Sequence, residues 1–521
     1  MSRFPLARLA LLVPLALLAA RSFAADAAAE EEDEDRVAPR YKIAAEIDFS
    51  GVELAAPAIG AARMSATPGG AQDIRYFRDQ VKAGEVPHPN VFTPEGLFSE
   101  HDLPIPAGEV CRQLLCPVGA AAPAALTVQP DVRFLAQLGF HTGIDAATFH
   151  RAPVNLVAVI DKSGSMSGAP LETVRQSLFG MLEQLGPQDQ LSIVLYGDQA
   201  HVWMPPTPAS QKARIHEQIA GIQSAGSTAM EEGLRVGFDL ARTSAAGFDG
   251  TTRVMLFTDE RPNVGRTDAE SFMGMAEAAS RGGVGMTTIG VGTVFGAELA
   301  TKVSSVRGGN LFFFPDAATM QGVFEKEFDL MVTELAYDMA LTVTPAPGLD
   351  LAGVYGLPGD AIAWGPDGSI TMKIATLFPS EDEGGIYFGF KPETGAVSRS
   401  GGPVATVSLS YELRGGRRES GSVTLASSST LPLGLTRGHL LVEEATVLKR
   451  ATELHLQQND TEGAYQLVRG LSSTLHASRD ATLEKERVLV DTLLETLTRL
   501  SGHAGEGQRS AQRDPVSGLP R

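Results

Sequence analysis

The sequence predicts an α/β protein: a doubly wound, mainly parallel, Rossmann-like sheet, followed by a β-sandwich-like module and a helical C-terminal segment. Three observations carry this. Between Pro153 and about Leu335, short apolar runs rich in β-branched residues alternate with helical stretches. From Tyr337 the apolar pattern drops to a two-residue period broken by Gly and Pro. Between about Thr436 and Leu500 it becomes helical, with Leu483, Val490, Leu494 and Leu497 on one face, as in a small helical unit packed on a neighbour.

In chain order, residues 1–24 give a basic start, an apolar stretch from Leu9 to Ala20 and the pattern Ser22-x-Ala24, which reads as a cleavable secretory signal. The stretch is shorter than the ~20 residues that a bilayer span needs. The expected protein is therefore exported, to the periplasm or the extracellular surface, with no membrane span after cleavage. Cleavage removes three arginines and no acids, moving the net charge from -19 to -22. Such acidity argues against nucleic acid, whose phosphates need clustered Lys and Arg. Residues 25–40 hold six consecutive acids, Glu30 to Asp35, and read as a disordered spacer.

Residues 41–150 read as a mixed N-terminal region. "IRYFRDQVKAGEVP" predicts a helix ending at Ala83, with Gly84 as its stop and Pro87 beyond, and "VRFLAQLGF" a strand. In an oxidising compartment Cys111 and Cys116 could form one disulfide, two free thiols being the alternative; two cysteines without nearby histidines are too few for zinc.

Residues 151–336 form the doubly wound domain. Its strands are "VNLVAVID", "QLSIVLYG", "RVMLFTD", "GMTTIGVG" and "NLFFFPD", with helices between most of them. "AHVWMPP" follows a strand with no helix between and is expected as an antiparallel edge. Residues 337–430 are the β-rich module, 431–500 the helical segment and 501–521 a disordered tail.

Ligands of open parallel sheets collect where strands end. Asp161 ends the first strand, and Ser163 and Ser165 follow in D-x-S-x-S spacing. Asp259 ends another strand, and Thr228 sits at the mouth of a helix. Two carboxylates and three hydroxyls on one face, with no His or Cys, select a hard divalent cation, Mg²⁺ first, with Mn²⁺ or Ca²⁺ as alternatives. Each residue also has a plainer use. Thr228 with Glu231 spells a capping box, and Ser163 and Ser165 could bond loop amides. Pro170 fits the first turn of a helix under either reading, and Lys162 is expected to point to solvent.

These residues resemble the metal-ion-dependent adhesion site of a von Willebrand factor type A domain, here Asp161, Ser163, Ser165, Thr228 and Asp259. "PQDQLSIVLYGDQAHVWMPPTP", "RPNVG" and "GGNLFFFPD" extend the likeness, which is narrower still to exported bacterial proteins carrying this domain after a helical leader. The resemblance covers about residues 70–340. It implies serines on the metal, aspartates acting partly through water, and an open position filled by a Glu or Asp carboxylate of a partner protein. One departure is Glu260, where the family has glycine after the aspartate. It could strain the turn, strengthen the metal, repel an acidic partner, or simply be a solvated loop charge.

The function expected is non-catalytic, cation-dependent protein binding at the cell envelope. The alternatives are a scaffold whose metal only stabilises the fold and a hydrolase using Ser163 or Ser165. Against the hydrolase, the loops hold no histidine base, no G-x-S-x-G elbow and no H-E-x-x-H.

Overall fold

A computed structural model describes residues 63–503 apart from 69–73, 93, 107–109, 146–147, 260–268, 292–301, 303–305, 315, 358–361, 381–382, 394–401 and 429–430. The signal, the acidic spacer, Glu260 and nearly all of the tail lie outside the described residues.

The strands run in chain order β1 (Arg63–Pro68), β2 (Leu115–Pro123), β3 (Phe134–Asp145), β4 (Val154–Asp161), β5 (Gln190–Tyr196), β6 (Ala200–Pro208), β7 (Thr251–Thr258), β8 (Val284–Val291), β9 (Gly309–Phe314), β10 (Ala336–Pro345), β11 (Leu349–Tyr355), β12 (Ile362–Trp364), β13 (Ile370–Ser380), β14 (Ile386–Pro392), β15 (Gly402–Leu413) and β16 (Arg418–Ser427). One sheet has the order β6-β5-β4-β7-β8-β9, and all its pairs are parallel except β5–β6. The strand "AHVWMPP" is thus an antiparallel edge, as its position after β5 with no crossover helix requires.

Side chains alternate across this sheet, so each strand feeds two cores. From β4, Leu156, Ala158 and Ile160 pack with Val174 and Leu178 of helix Ala169–Gln184 and Phe324 of helix Ala317–Met331. Val157 and Val159 face Leu234 and Phe238 of helix Met230–Ala245 and Phe272 of helix Ala269–Arg281. Every residue of β4 is buried, which explains why its sequence reads as a continuous apolar run.

The second sheet draws its strands from residues 41–150 as well as from 337–430. β1, β2 and β3 pair with strands of the C-terminal half, and β1-β13-β10-β15-β16-β2-β3 closes into a circuit because β1 also pairs with β3. β3 is long enough to serve β14 along Phe134–Leu138 and β1 further on. The strands of 337–430 share their sheet with β1, β2 and β3. β2, "LCPVGAAAP", lacks the bulky alternation that marks a strand, so the partnership left little trace in the sequence.

The helices repeat this pattern. Helix Arg75–Lys82 ends where expected, with Gly84 at a φ of 78°. Its Phe77 and Val81 share a core with Leu441 and Leu448 of helix Leu433–Gln458 and Val490 of helix Glu484–Leu500. Helix Thr461–Ser478 completes the C-terminal three-helix unit, and Leu483 lies in the turn before the last helix. At the centre, Arg78 donates to both carboxylate oxygens of Glu486, and His101 Nε2 bonds Glu486 Oε1 at 2.7 Å. Cys111 and Cys116 are joined as a disulfide with Cα atoms 5.7 Å apart.

Candidate metal centre

The parallel register sets Asp161, the last residue of β4, directly beside Tyr196, the last of β5. Asp259 follows β7 on the other side of β4. Both carboxylates therefore sit at the carboxyl ends of adjacent strands, where loops rather than strands must fill the surface.

Three loops meet there, held by their main chains. The Lys162 N–H donates to Tyr196 O, Gly164 N–H to Gly226 O, and Ala229 N–H to Gly197 O, at 2.9, 2.9 and 3.0 Å. Gly226 has a φ of 92°, and a Cβ there would lie 2.9 Å from the Asp198 nitrogen, so the turn requires glycine. Asp198 Oδ1 accepts the Ser227 N–H and hydroxyl, which hold its carboxyl below the usual range. After Ser165, Met166 is fully buried and pins the loop, and Pro170 lies in the first turn of the next helix.

Within this frame four of the five expected residues form one connected chain. Asp161 Oδ1 accepts the Ser163 N–H at 2.9 Å, the Ser163 and Ser165 hydroxyls share a hydrogen bond of 3.0 Å, and Ser165 Oγ donates to Asp259 Oδ1 at 3.1 Å. Thr228 is fully buried on the loop tied to Gly164 and Gly197. It does not cap a helix: the helix starts at Met230, its N-cap is Ala229, and no side chain caps it. The capping-box use of Thr228 and Glu231 is thus not realised.

Asp161 is fully buried, and burial is the main influence on its carboxyl, pushing its pKa up against the hydrogen bonds from Ser163, Thr258 and Tyr196. Among the described residues no cationic side chain pairs with it. Lys162, expected in solvent, donates from Nζ to Ala225 O at 3.0 Å, which carries its charge to the backbone of the neighbouring loop. A buried carboxylate with only neutral donors is a high-energy anion that a cation would relieve.

The donor set fits a small hard cation. Ligands about 2.1 Å from an octahedral centre lie about 3 Å from each other along an edge. The Ser163–Ser165 and Ser165–Asp259 separations, 3.0 and 3.1 Å, match that edge. Among the described residues no group of three or more His, Cys, Asp or Glu side chains could hold a metal, so a site here depends on hydroxyls beside its two carboxylates.

Two participants went unread in the sequence. Tyr196 OH and Thr258 Oγ1 both donate to Asp161 Oδ2, at 3.2 and 3.1 Å. Burial beside Asp161 raises the Tyr196 phenol well above its ordinary pKa and keeps it a donor. A Cβ on Gly233 would meet the Tyr196 ring at 2.6 Å, so this mid-helix glycine makes room for the ring. The available signal was a polar residue ending each strand that flanks β4.

A doubly wound sheet with an oxygen cluster at its strand ends defines the class of this domain. The particular family follows from comparison: residues 155–326 match the von Willebrand factor type A domain, so the chain carries one. The uncharacterized protein YfbK of Escherichia coli (strain K12) is 31% identical over 189 residues, 36% of this chain and 32% of that protein. Inter-alpha-trypsin inhibitor heavy chain H4 of Homo sapiens is 29% identical over 164 residues, 30% of this chain and 18% of that one. The matched stretch thus spans a third or less of these curated relatives. Among solved structures, a von Willebrand factor type A protein from Catenulispora acidiphila aligns with 79% of this chain and 93% of its own, at a TM-score of 0.44 and 15% identity. Proximal thread matrix protein 1 from the mussel byssus, solved with a zinc-occupied MIDAS motif, aligns with 36% of this chain and 49% of its own, at a TM-score of 0.31 and 16% identity.

Proposed function

We propose that the chain is a non-catalytic protein of the cell envelope that binds a partner protein through a divalent cation, Mg²⁺ first, at Asp161, Ser163, Ser165, Thr228 and Asp259. The observation that carries this is the continuous chain from Asp161 through Ser163 and Ser165 to Asp259 at the strand ends. A bound cation would supply an electrophilic centre for one more anionic oxygen. The chain's own residues do the rest. Tyr196 and Thr258 fix the Asp161 carboxylate by occupying Oδ2, which suits contact through water, and leave the hydroxyls to approach the metal. Neutral hydroxyls do not neutralise a dication, so the open position favours a Glu or Asp carboxylate from the partner.

A serine nucleophile is disfavoured by the same bonds. The Ser163 and Ser165 hydroxyls bond each other and that of Ser165 bonds Asp259, so among the described residues neither is bonded to a histidine base. The test is a pull-down from envelope extracts. Partners recovered in Mg²⁺ should be lost with chelator, and an unchanged set would refute metal bridging.

A further inference from the structure

Away from the strand-end site, the N-terminal and C-terminal helices meet over a buried group of charges. The segment from Arg75 to His101 loops out between β1 and β2, both fixed in the second sheet, and packs on the C-terminal helices. Anchored at both ends, it can lift as a unit without unthreading the sheet.

Beneath it, Glu444 of helix Leu433–Gln458 is fully buried, and among the described residues neither of its carboxylate oxygens accepts a hydrogen bond. Three charged groups face it: Glu486 of helix Glu484–Leu500, Arg78 of helix Arg75–Lys82, and Glu100, just beyond helix Pro94–Phe98. Glu95 enters from Pro94–Phe98 itself, with Lys449 as its nearby charge. The buried face of helix Thr461–Ser478, from Ala464 to Leu475, is apolar.

The cations here are already engaged. Arg78 donates to both oxygens of Glu486 at 2.9 Å and to Glu100 at 3.1 Å, Lys485 lies 3.6 Å from Glu100, and His101 Nε2 bonds Glu486 at 2.7 Å. Glu100, Glu444 and Glu486 thus share Arg78 and Lys485, and Glu444 receives a donor from neither. Ionised, it would be a buried anion beside a like charge. One proton removes the conflict, because a protonated Glu444 donates to Glu486 and two carboxyl groups can bond in no other way. Burial first, then the charge of Glu486, push the Glu444 carboxyl well above its ordinary range.

We infer that this proton is a latch: held between Glu444 and Glu486, it keeps the Arg75–His101 segment on the C-terminal helices, and its loss as pH rises releases the segment. Release uncovers apolar faces now in contact, Phe77 and Val81 on one side and Leu441 and Leu448 on the other. The latch is independent of the strand-end site.

A carboxyl whose pKa folding raises stabilises fully below its ordinary value, and that stabilisation is lost as pH climbs to the folded value. Between the two, an opening that releases one proton becomes about tenfold more frequent per pH unit.

The test is native-state amide hydrogen exchange of the full chain between about pH 6 and pH 8, corrected for intrinsic exchange, in Glu95→Gln so that Glu95 does not titrate. Amides of Arg75–Lys82 should open at least about tenfold more often than those of β4, which report unfolding of the parallel sheet. Their opening constant should rise about tenfold per pH unit. Adding Glu444→Gln, a neutral isostere, should flatten that rise, and Glu444→Met, which removes the carboxyl, should flatten it equally. A pH-independent opening constant, a rise undiminished in both variants, or opening no more frequent than that of β4 overturns the proposal.

Discussion

Glu95 offers a sharp test of how the N-terminal helices are buried against the C-terminal ones. It lies in the short helix Pro94–Phe98, which packs on Leu433–Gln458, and its Oε2 has no hydrogen-bond partner. Burial is the first cause of its shift and pushes the carboxyl from 4.5 up to about 7, against its own backbone N–H and the charge of Lys449. The folded state therefore holds this proton more tightly than the unfolded chain. Its contribution is fully present below the unfolded pKa and is lost as pH rises from 4.5 to about 7. At 1.36 kcal/mol per pKa unit, the loss is about 3 kcal/mol. Glu95→Gln keeps the shape and removes the titration. Its stability relative to wild type should rise by about 3 kcal/mol between pH 4.5 and pH 8. Denaturant unfolding of both proteins across that range reads the difference directly. A difference that does not change with pH would refute the reasoning, as would one that falls.

Other outcomes follow from the same physics. Asp161→Asn keeps a carbonyl for the Ser163 N–H but turns a donor toward the Tyr196 and Thr258 hydroxyls. In chelator it should cost about 1–2 kcal/mol, and the stabilisation by Mg²⁺, about 2.7 kcal/mol at a hundred times Kd, should vanish from unfolding curves. Gly226→Ala forces a side chain to a φ of 92° against Asp198 and should destabilise by about 1–3 kcal/mol while weakening Mg²⁺ binding; an unperturbed variant would mean the loop relaxes freely. Replacing Cys111 and Cys116 by serine opens a loop of six residues and should lower stability by about 2 kcal/mol, read from unfolding with and without reductant.

The doubly wound domain was legible because each parallel strand is buried on both faces and so announces itself as an apolar run. Asp161 and Asp259 were legible for the same reason, each being the first charge after such a run. Tyr196 was not: its hydroxyl meets Asp161 only because β4 and β5 pair in that register, which is set by packing rather than by local pattern. The capping-box spelling of Thr228 and Glu231 places the helix start at Ala229, one residue before the observed start at Met230. The shared β-sheet and helical core were hidden by distance, Arg78 and Glu486 being 408 residues apart. No local periodicity reports a partner so remote, and the small residues of β2 gave no second hint.

The strand-end oxygens should bind a divalent cation. Calorimetric titration of Mg²⁺, repeated with Mn²⁺, into wild type and Asp161→Ala tests it most directly. One site per chain is expected in wild type, with at least about tenfold weaker binding in the variant, since a charged ligand or its water-bridged equivalent is lost. Equal affinity in the two proteins would contradict it.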